Sequence, residues 1–191
     1  MRKKHNLLFN YRKVYDFFRE IKWHFVLSMG IFFLLLVVGF TLPIFFREQI
    51  LNLISQLSSS IESKNLAGII TFIFLNNLRS SFFAFIFGIF LGIFPVVALV
   101  VNGYLLGFVL RLSAEEKGIL TFWKILPHGV FELPAIFLST AVGIKIGTDL
   151  FKRKKNISKN YREGLRFFIL VVIPLLVIAA IIEGSLIWFL K

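Results

Sequence analysis

The sequence predicts an all-α membrane protein, a single polytopic bundle of about five transmembrane helices. The first observation is composition: 58% of the 191 residues are hydrophobic and 17% are charged, whereas soluble domains are about half apolar and about a quarter charged. The second is a series of long apolar stretches, and the third is the confinement of most Lys and Arg residues to two segments. Together these observations exclude an ordinary soluble domain.

Each predicted span is a mostly apolar segment near the roughly 20 helical residues that a bilayer requires. The apolar stretch 66–112 is too long for one crossing, and Gly92-Ile93-Phe94-Pro95 is its natural break because Gly and Pro interrupt helices. A break at Asn76-Asn77 is the second choice, since it would leave one short and one overlong helix. The predicted spans are residues 23–46, 66–92, 95–112, 118–150 and 165–190.

The fourth span contains Pro127. Proline removes one backbone donor and disfavours helical geometry at the preceding residue, Leu126. The sequence therefore predicts a helix that is broken or bent at Pro127.

Orientation follows from the basic residues. Residues 1–22 carry seven Lys or Arg and residues 145–166 carry eight, which is 15 of the 22 in the chain. The positive-inside rule then predicts a cell-membrane protein with the N-terminus and the basic loop 151–164 in the cytoplasm and the C-terminus outside. Because topology explains the net charge of +12, we expect no nucleic-acid partner.

Two segments have apolar residues at helical spacing among polar ones. In the basic segment 1–22 this pattern predicts a helix on the cytoplasmic membrane surface, with Val14, Phe17, Phe18 and Ile21 facing lipid. In the segment 47–62 it predicts an outer amphipathic helix. That outer helix is expected either to cap the bundle or to dock an extracytoplasmic partner. Its apolar residues are Ile50, Leu53, Ile54, Leu57 and Ile61.

Small residues recur every fourth position in three of the predicted spans. Such faces let transmembrane helices approach closely, because lipid provides no hydrophobic drive between them. We expect packing within the bundle, with a homodimer face as the alternative. The predicted packing residues are Ala84, Gly88, Gly92, Gly103, Gly107, Gly143 and Gly147.

Polar residues inside the apolar spans are the candidates for function, because a charge at mid-bilayer costs at least about 2.5–3.5 kcal/mol and needs a partner or water. Counting from the span ends puts Arg79 and Glu132 at one depth and predicts an ion pair between them. Lys145 lies near a span end, where lysine can reach the interface. The predicted intramembrane site comprises Asn76, Asn77, Arg79, Asn102, His128, Glu132 and Glu183.

Three roles fit this set. His128 and Glu132 are four residues apart and share a helix face, so with Glu183 they are candidate ligands of a divalent cation. The same residues suit a proton relay or a hydrogen-bonded latch between helices. The chain has no Cys, and it contains none of the metalloprotease, nucleophile-elbow or phosphate-loop motifs. We therefore expect no enzyme.

The motifs also resemble those of the stage II sporulation protein M family. The resemblance is carried by Phe74-Leu75-Asn76-Asn77-Leu78-Arg79, Gly88, Gly92, Asn102-Gly103-Tyr104-Leu105-Leu106-Gly107, Pro127-His128-Gly129-Val130-Phe131-Glu132 and Ile182-Glu183. It implies a multi-pass membrane fold. The namesake assists membrane movement around the forespore together with peptidoglycan-degrading partners, but relatives also occur in organisms that do not sporulate.

Two functions are therefore expected from the sequence. In the first, the polar site binds a small cation, a proton or a polar solute, and the protein is part of a channel or transporter. In the second, the protein is a membrane scaffold that recruits partner proteins, as the resemblance implies.

Overall fold

The fold is a bundle of α-helices. The computed structural model describes residues 7–90, 92–118, 122–153 and 157–190; within them, no side chain is described at residues 7–11, 58, 62, 89, 117, 123–128 and 190. No strand occurs in these ranges. The helices are α1 (Leu7–Thr41), α2 (Arg47–Glu62), α3 (Leu66–Ile86), α4 (Ile93–Lys117), α5 (Phe122–Phe151), α6 (Ile157–Phe167) and α7 (Ile173–Leu190).

Five helical segments are long and apolar enough to cross a membrane, which confirms the predicted all-α, five-span fold. α6 and α7 form one of these segments together, joined by a π-helical turn at Phe168–Val172. The segments are Arg12–Thr41, Leu66–Ile86, Ile93–Glu116, Gly129–Phe151 and Ile157–Phe189.

The N-terminal basic segment is not a separate surface helix, because α1 continues from Leu7 through the predicted boundary at residue 22. Phe17 and Ile21 are buried in the main core, where the Phe17 ring lies 5.7 Å from that of Phe167. The apolar face predicted to meet lipid therefore meets protein instead. The basic loop is shorter than the predicted range 151–164, because α6 begins at Ile157. α6 packs on the same apolar face of α1.

The break between the second and third spans is where the sequence predicts it. A 3₁₀ turn at Phe87–Ile89 ends α3, and Gly92 precedes α4 with φ of 75°. This left-handed conformation favours glycine because a Cβ would clash with the backbone. The alternative break at Asn76-Asn77 is wrong, because α3 runs through both residues.

The predicted break at Pro127 is wrong, because α5 is helical from Phe122 to Phe151, whereas a bend there stays a prediction. Pro127 is only the sixth residue of the helix, so its missing N–H removes a single bond close to the helix start. Pro174 disturbs its helix more. It follows the π-helical turn, in which the Ile173 N–H reaches the Phe168 carbonyl. Pro174 cannot donate to residue 170, and the wider turn avoids its ring.

The small residues pack helices within the chain. On α4, a Cβ on Gly103 or Gly107 would overlap α1 backbone at Phe32 and Leu36, so these two helices run parallel in close contact. On α5, Gly143 meets Ala84 and Gly88 in the same way. A Cβ on Gly92 would lie 3.3 Å from the Ile144 Cα, and Gly147 is buried. These faces are occupied inside one chain, so a homodimer would need another surface.

Polar side chains join three helices at the end of the bundle where α1 begins, which we call the basic end. The Nζ of Lys145 lies 3.2 Å from Glu20 Oε2 and 3.0 Å from Asp149 Oδ2. Asn160 donates to the same Asp149 oxygen at 2.6 Å. Only 7% of Lys145 and 3% of Asp149 is exposed, whereas the side chain of Glu20 is 51% exposed. Lys145 therefore pairs with carboxylates of the protein, and its reach to the membrane interface stays a prediction. These contacts tie α1 and α6 to α5.

The predicted outer amphipathic helix is present as α2, with the predicted bounds. It lies at the end opposite the basic end. Tyr104 on α4 holds the turn before α2, because its hydroxyl accepts a hydrogen bond from the Phe45 N–H at 3.0 Å and donates to the Leu42 carbonyl at 2.8 Å.

The close α1–α4 contact leads to a prediction about Gly107. In Gly107→Ala the new methyl would overlap the Leu36 carbonyl and lie 2.8 Å from the Phe40 nitrogen. Overpacking of this kind costs about 1–3 kcal/mol, so thermal unfolding in detergent should occur at a lower temperature. Gly30→Ala is the matched control on α1, since nothing lies within 4 Å of its Cβ position. Equal stability of the two variants would contradict the proposed contact.

The buried ion pair leads to a second prediction. Lys145→Ala removes the cation beside Asp149, and loss of one partner of a buried pair costs about 3–5 kcal/mol. Unfolding measured by denaturant titration should show this loss. Lys159→Ala is the control, because Lys159 is 60% exposed and lies 4.0 Å from Glu163, and exposed pairs contribute little. If Lys145→Ala were as stable as the control, the network would have no structural role.

Candidate functional site

The candidate site is centred on Glu132 of α5. The side-chain amide of Asn77 on α3 lies near the Glu132 carboxylate. Glu183 of α7 lies close enough for the two carboxylates to interact through their charges. Three helices that are distant in sequence therefore bring polar groups to one place inside the membrane-spanning part of the bundle.

The face of α3 explains why Asn77 reaches this place. Asn77, Ser81 and Ala84 follow one another at intervals of four and three residues, so they lie on one side of the helix. All three are buried, and this side packs against α5 through Ser81 and Ala84. Asn76 is turned about 100° away on the helix and is exposed, with its Nδ2 3.5 Å from the Asn77 Oδ1.

Glu132 and the side-chain amide of Asn102 line the same cavity, which has a volume of about 320 Å³. It lies between α1, α4 and α5, and among the described residues Asn102 and Glu132 are the polar side chains that line it. The Asn102 Nδ2 donates to the Ala98 carbonyl at 2.8 Å. The side-chain oxygen of Asn102 can therefore still accept a hydrogen bond or contact a cation.

The carboxylates have few donors around them. The Oε2 atom of Glu183 is buried, and none of the described residues donates a hydrogen bond to it. A charged carboxylate accepts hydrogen bonds and cannot donate, and its burial without a partner is costly. The arrangement can thus accommodate a proton or a small cation, either of which would offset the mutual repulsion of the two glutamates.

The predicted ion pair between Arg79 and Glu132 is wrong. Among the described residues, Arg79 forms no ion pair with a carboxylate, and it is exposed in a groove formed by α3 and the α6–α7 segment. Arg79 is two positions after Asn77, which turns it about 200° around the helix. Depth alone pairs Arg79 with Glu132, but Arg79 lies on the face of α3 opposite the Asn77 side, where Glu132 of α5 lies.

The side chain of His128 lies outside the described residues, so its place in the site stays a prediction. Its backbone is in α5, one turn before Glu132. No group of three or more His, Cys, Asp or Glu residues suited to a metal ion occurs among the described side chains. The proposed metal set of His128, Glu132 and Glu183 is therefore untested.

Sequence reasoning missed a set of buried hydroxyl groups on α3 and α5. The Ser139 Oγ donates to the Ser81 carbonyl, and both residues are at most 1% exposed. The Ser81 Oγ and Thr140 Oγ1 are buried without a hydrogen-bond partner in the described part of the chain. Ser139 is seven residues beyond Glu132, about 10 Å nearer the basic end. The sequence signal that could have predicted these groups is the occurrence of two adjacent hydroxyl residues within each of the two apolar helices.

Comparisons with known proteins agree with this architecture. Two uncharacterized proteins of Methanocaldococcus jannaschii are similar to the chain. One is 33% identical over 126 residues, which are 62% of this chain and 55% of the relative. The other is 32% identical over 119 residues, which are 58% of this chain and 66% of the relative. The aligned region therefore spans less than two thirds of the length of either relative, and no solved structure matches significantly.

The family comparison covers most of the chain. A sequence model of the family described as stage II sporulation protein M matches residues 26–186. This range includes Asn77, Glu132 and Glu183, and it contains three of the five spans in full and most of the other two. The protein is therefore a multi-pass membrane protein that belongs to the stage II sporulation protein M family.

Proposed function

We propose that the Glu132 cluster binds a small cation or a proton within the membrane, and that the protein is a component of a channel or transporter. One observation supports this most strongly: two interacting carboxylates from α5 and α7 lie in the membrane-spanning region with no basic side chain beside them in the described part of the chain. Intramembrane ionisable residues are functional candidates by default.

Electrostatics favours a positive ligand. Two carboxylates in a low-dielectric interior repel each other strongly, and the amide of Asn77 provides only a neutral dipole. A bound cation or shared proton would relieve this repulsion, while the oxygens of Asn102 and Glu132 face a cavity that can hold it. His128, one turn away, would complete a divalent-cation site or a proton relay.

The buried hydroxyl groups support a route from the site toward the basic end. Ser81 and Thr140 have hydroxyl oxygens available for hydrogen bonding, and hydroxyl groups both donate and accept. With the basic end in the cytoplasm of the cell, as the positive-inside rule indicates, this route would lead inward. The proposal assigns the protein no enzymatic activity and no nucleic-acid partner.

The proposal predicts that Glu132→Gln and Glu183→Gln each reduce cation or proton flux at least tenfold in proteoliposomes. Glutamine keeps the shape of the side chain and removes the charge that would attract the ligand. Flux would be followed with a pH-sensitive dye and with ion-sensitive dyes in separate experiments.

Glu116→Gln is the control for this experiment, since Glu116 is exposed at the end of α4. Thermal unfolding of each variant would establish that the bundle still folds. Folded glutamine variants with wild-type flux, or a wild-type protein without flux above that of empty liposomes, would contradict the proposal.

A scaffold function is the second candidate, and the surface of α2 favours it. Ile50 faces the bundle and is 8% exposed, whereas Leu51, Leu53 and Leu57 remain between 37% and 41% exposed. Such an apolar surface on an amphipathic helix could bind a membrane partner or a second copy of this chain.

The scaffold candidate predicts that a photo-crosslinker at Leu57 captures a discrete protein in cell membranes. Leu57 is an exposed residue of α2, so the probe should not disturb the bundle. A crosslinker at Leu34 on the lipid-facing side of α1, which is 63% exposed, is the control. Equal capture from both positions, or capture of lipid alone, would argue against a partner of α2.

A further inference from the structure

Arg79 is an intramembrane charge that the polar site does not use. It lies in α3, seven residues before the helix ends at Ile86, which is about 10 Å along the axis. The side chain is exposed on the outside of the bundle, and no described residue forms an ion pair or hydrogen bond with it. A guanidinium group is always charged, and in hydrocarbon it requires an anionic or strongly polar partner.

The surroundings of Arg79 form an apolar groove of about 520 Å³, which lies within the range of small-molecule sites. One wall is α3 and the other is the end of α6 with the π-helical turn. Among the described residues, Arg79 is the only charged one in the lining, and the others are Leu75, Leu78, Phe82, Leu165, Phe168, Ile169 and Ile173.

The π-helical turn contributes to the shape of this groove. Phe168 packs inward at 2% exposure, whereas Ile169 is 51% exposed at the surface. The turn precedes Pro174, so its extra width is encoded by the sequence. Turns of this kind inside helices are frequent at functional sites.

Basic residues continue from the groove toward the basic end. Leu165 lines the groove, and Arg162 and Arg166 lie three residues before and one residue after it on α6. Arg162 is exposed and Arg166 is partly exposed. An apolar groove beneath a group of arginines has the chemistry of an amphiphile that carries a negative head and a hydrocarbon tail.

We propose that this groove binds an anionic phospholipid, with an acyl chain between α3 and the π-helical turn and the phosphate paired with Arg79. Guanidinium and phosphate can form two parallel hydrogen bonds, and their pairing offsets the charge that Arg79 brings into the membrane. The groove is continuous with the lipid-facing surface, where Leu75 and Leu170 are exposed. A lipid can therefore enter laterally, which a free phosphate ion in water cannot do.

The experiment is native mass spectrometry of the full chain after reconstitution in vesicles of phosphatidylglycerol and phosphatidylcholine and extraction in a mild detergent. The wild-type protein should retain one phosphatidylglycerol molecule in preference to phosphatidylcholine. Arg79→Gln should lower that retention about tenfold, since hydrogen bonds to charged groups are the stronger ones. Arg47→Gln, at the opposite end of the bundle, should retain the lipid as the wild type does.

A second variant tests the groove separately from the charge. Ile169→Trp places a larger ring in the groove from an exposed position, so it should exclude the acyl chain while Arg79 remains. Helix content and thermal unfolding would be measured for both variants, and Ile169→Trp decides the question if Arg79→Gln does not fold.

Several outcomes would overturn the proposal. Unchanged retention in folded Arg79→Gln or Ile169→Trp would show that the lipid binds elsewhere. Equal retention of phosphatidylcholine would remove the role of charge, and displacement of the adduct by millimolar inorganic phosphate would indicate a site for the free ion. A dimer lost in Arg79→Gln would assign the face to a second copy of the chain.

Discussion

Hydrocarbon offers no hydrogen bonds, and the arrangement of this bundle depends on that constraint. Every polar group placed within the spans has to find a partner in the protein, in trapped water or at a lipid headgroup. Lys145 and Asp149 satisfy each other, Ser139 uses the Ser81 carbonyl, and Asn102 uses its own helix. The buried hydroxyl oxygens of Ser81 and Thr140 and the buried Oε2 of Glu183 have no partner in the described ranges, and of these three groups only the carboxyl of Glu183 can carry a charge. The missing hydrogen-bond donor at the Glu183 carboxyl distinguishes the candidate site from the polar contacts that only stabilise the bundle.

Glycine packing determines where these groups can meet. α1 and α4 approach through Gly103 and Gly107, and α3 and α5 approach through Ala84 and Gly143. Because the second contact brings α3 backbone against α5, Asn77 can reach Glu132 from the neighbouring helix. The cavity beside Asn102 lies between α1, α4 and α5, so the glycine contacts of α4 also define its position. The packing residues and the polar residues are therefore parts of one arrangement.

The two ends of the bundle are stabilised differently. At the basic end, ion pairs and aromatic rings connect α1, α5 and α6, with Phe17 and Phe167 in the core. At the other end, α2 is attached mainly by the turn that Tyr104 holds and by Ile50. The outer helix consequently leaves much of its apolar surface uncovered, while the basic surface helix expected from the sequence is absorbed into the core.

The sequence determined the number of spans, the break at Gly92, the bounds of α2 and the identity of Asn77, Glu132 and Glu183 as residues to examine. These features follow from hydropathy, from glycine and proline geometry and from the cost of charge in lipid, which are local properties of the chain. Only the tertiary structure decided which helix faces meet. A count of residues gives depth along the bilayer normal but not rotation about a helix axis. For that reason the sequence predicted an ion pair between Arg79 and Glu132 that the structure does not form. The burial of Lys145 and the continuity of α5 through Pro127 likewise depended on neighbouring helices, whose packing no single segment specifies.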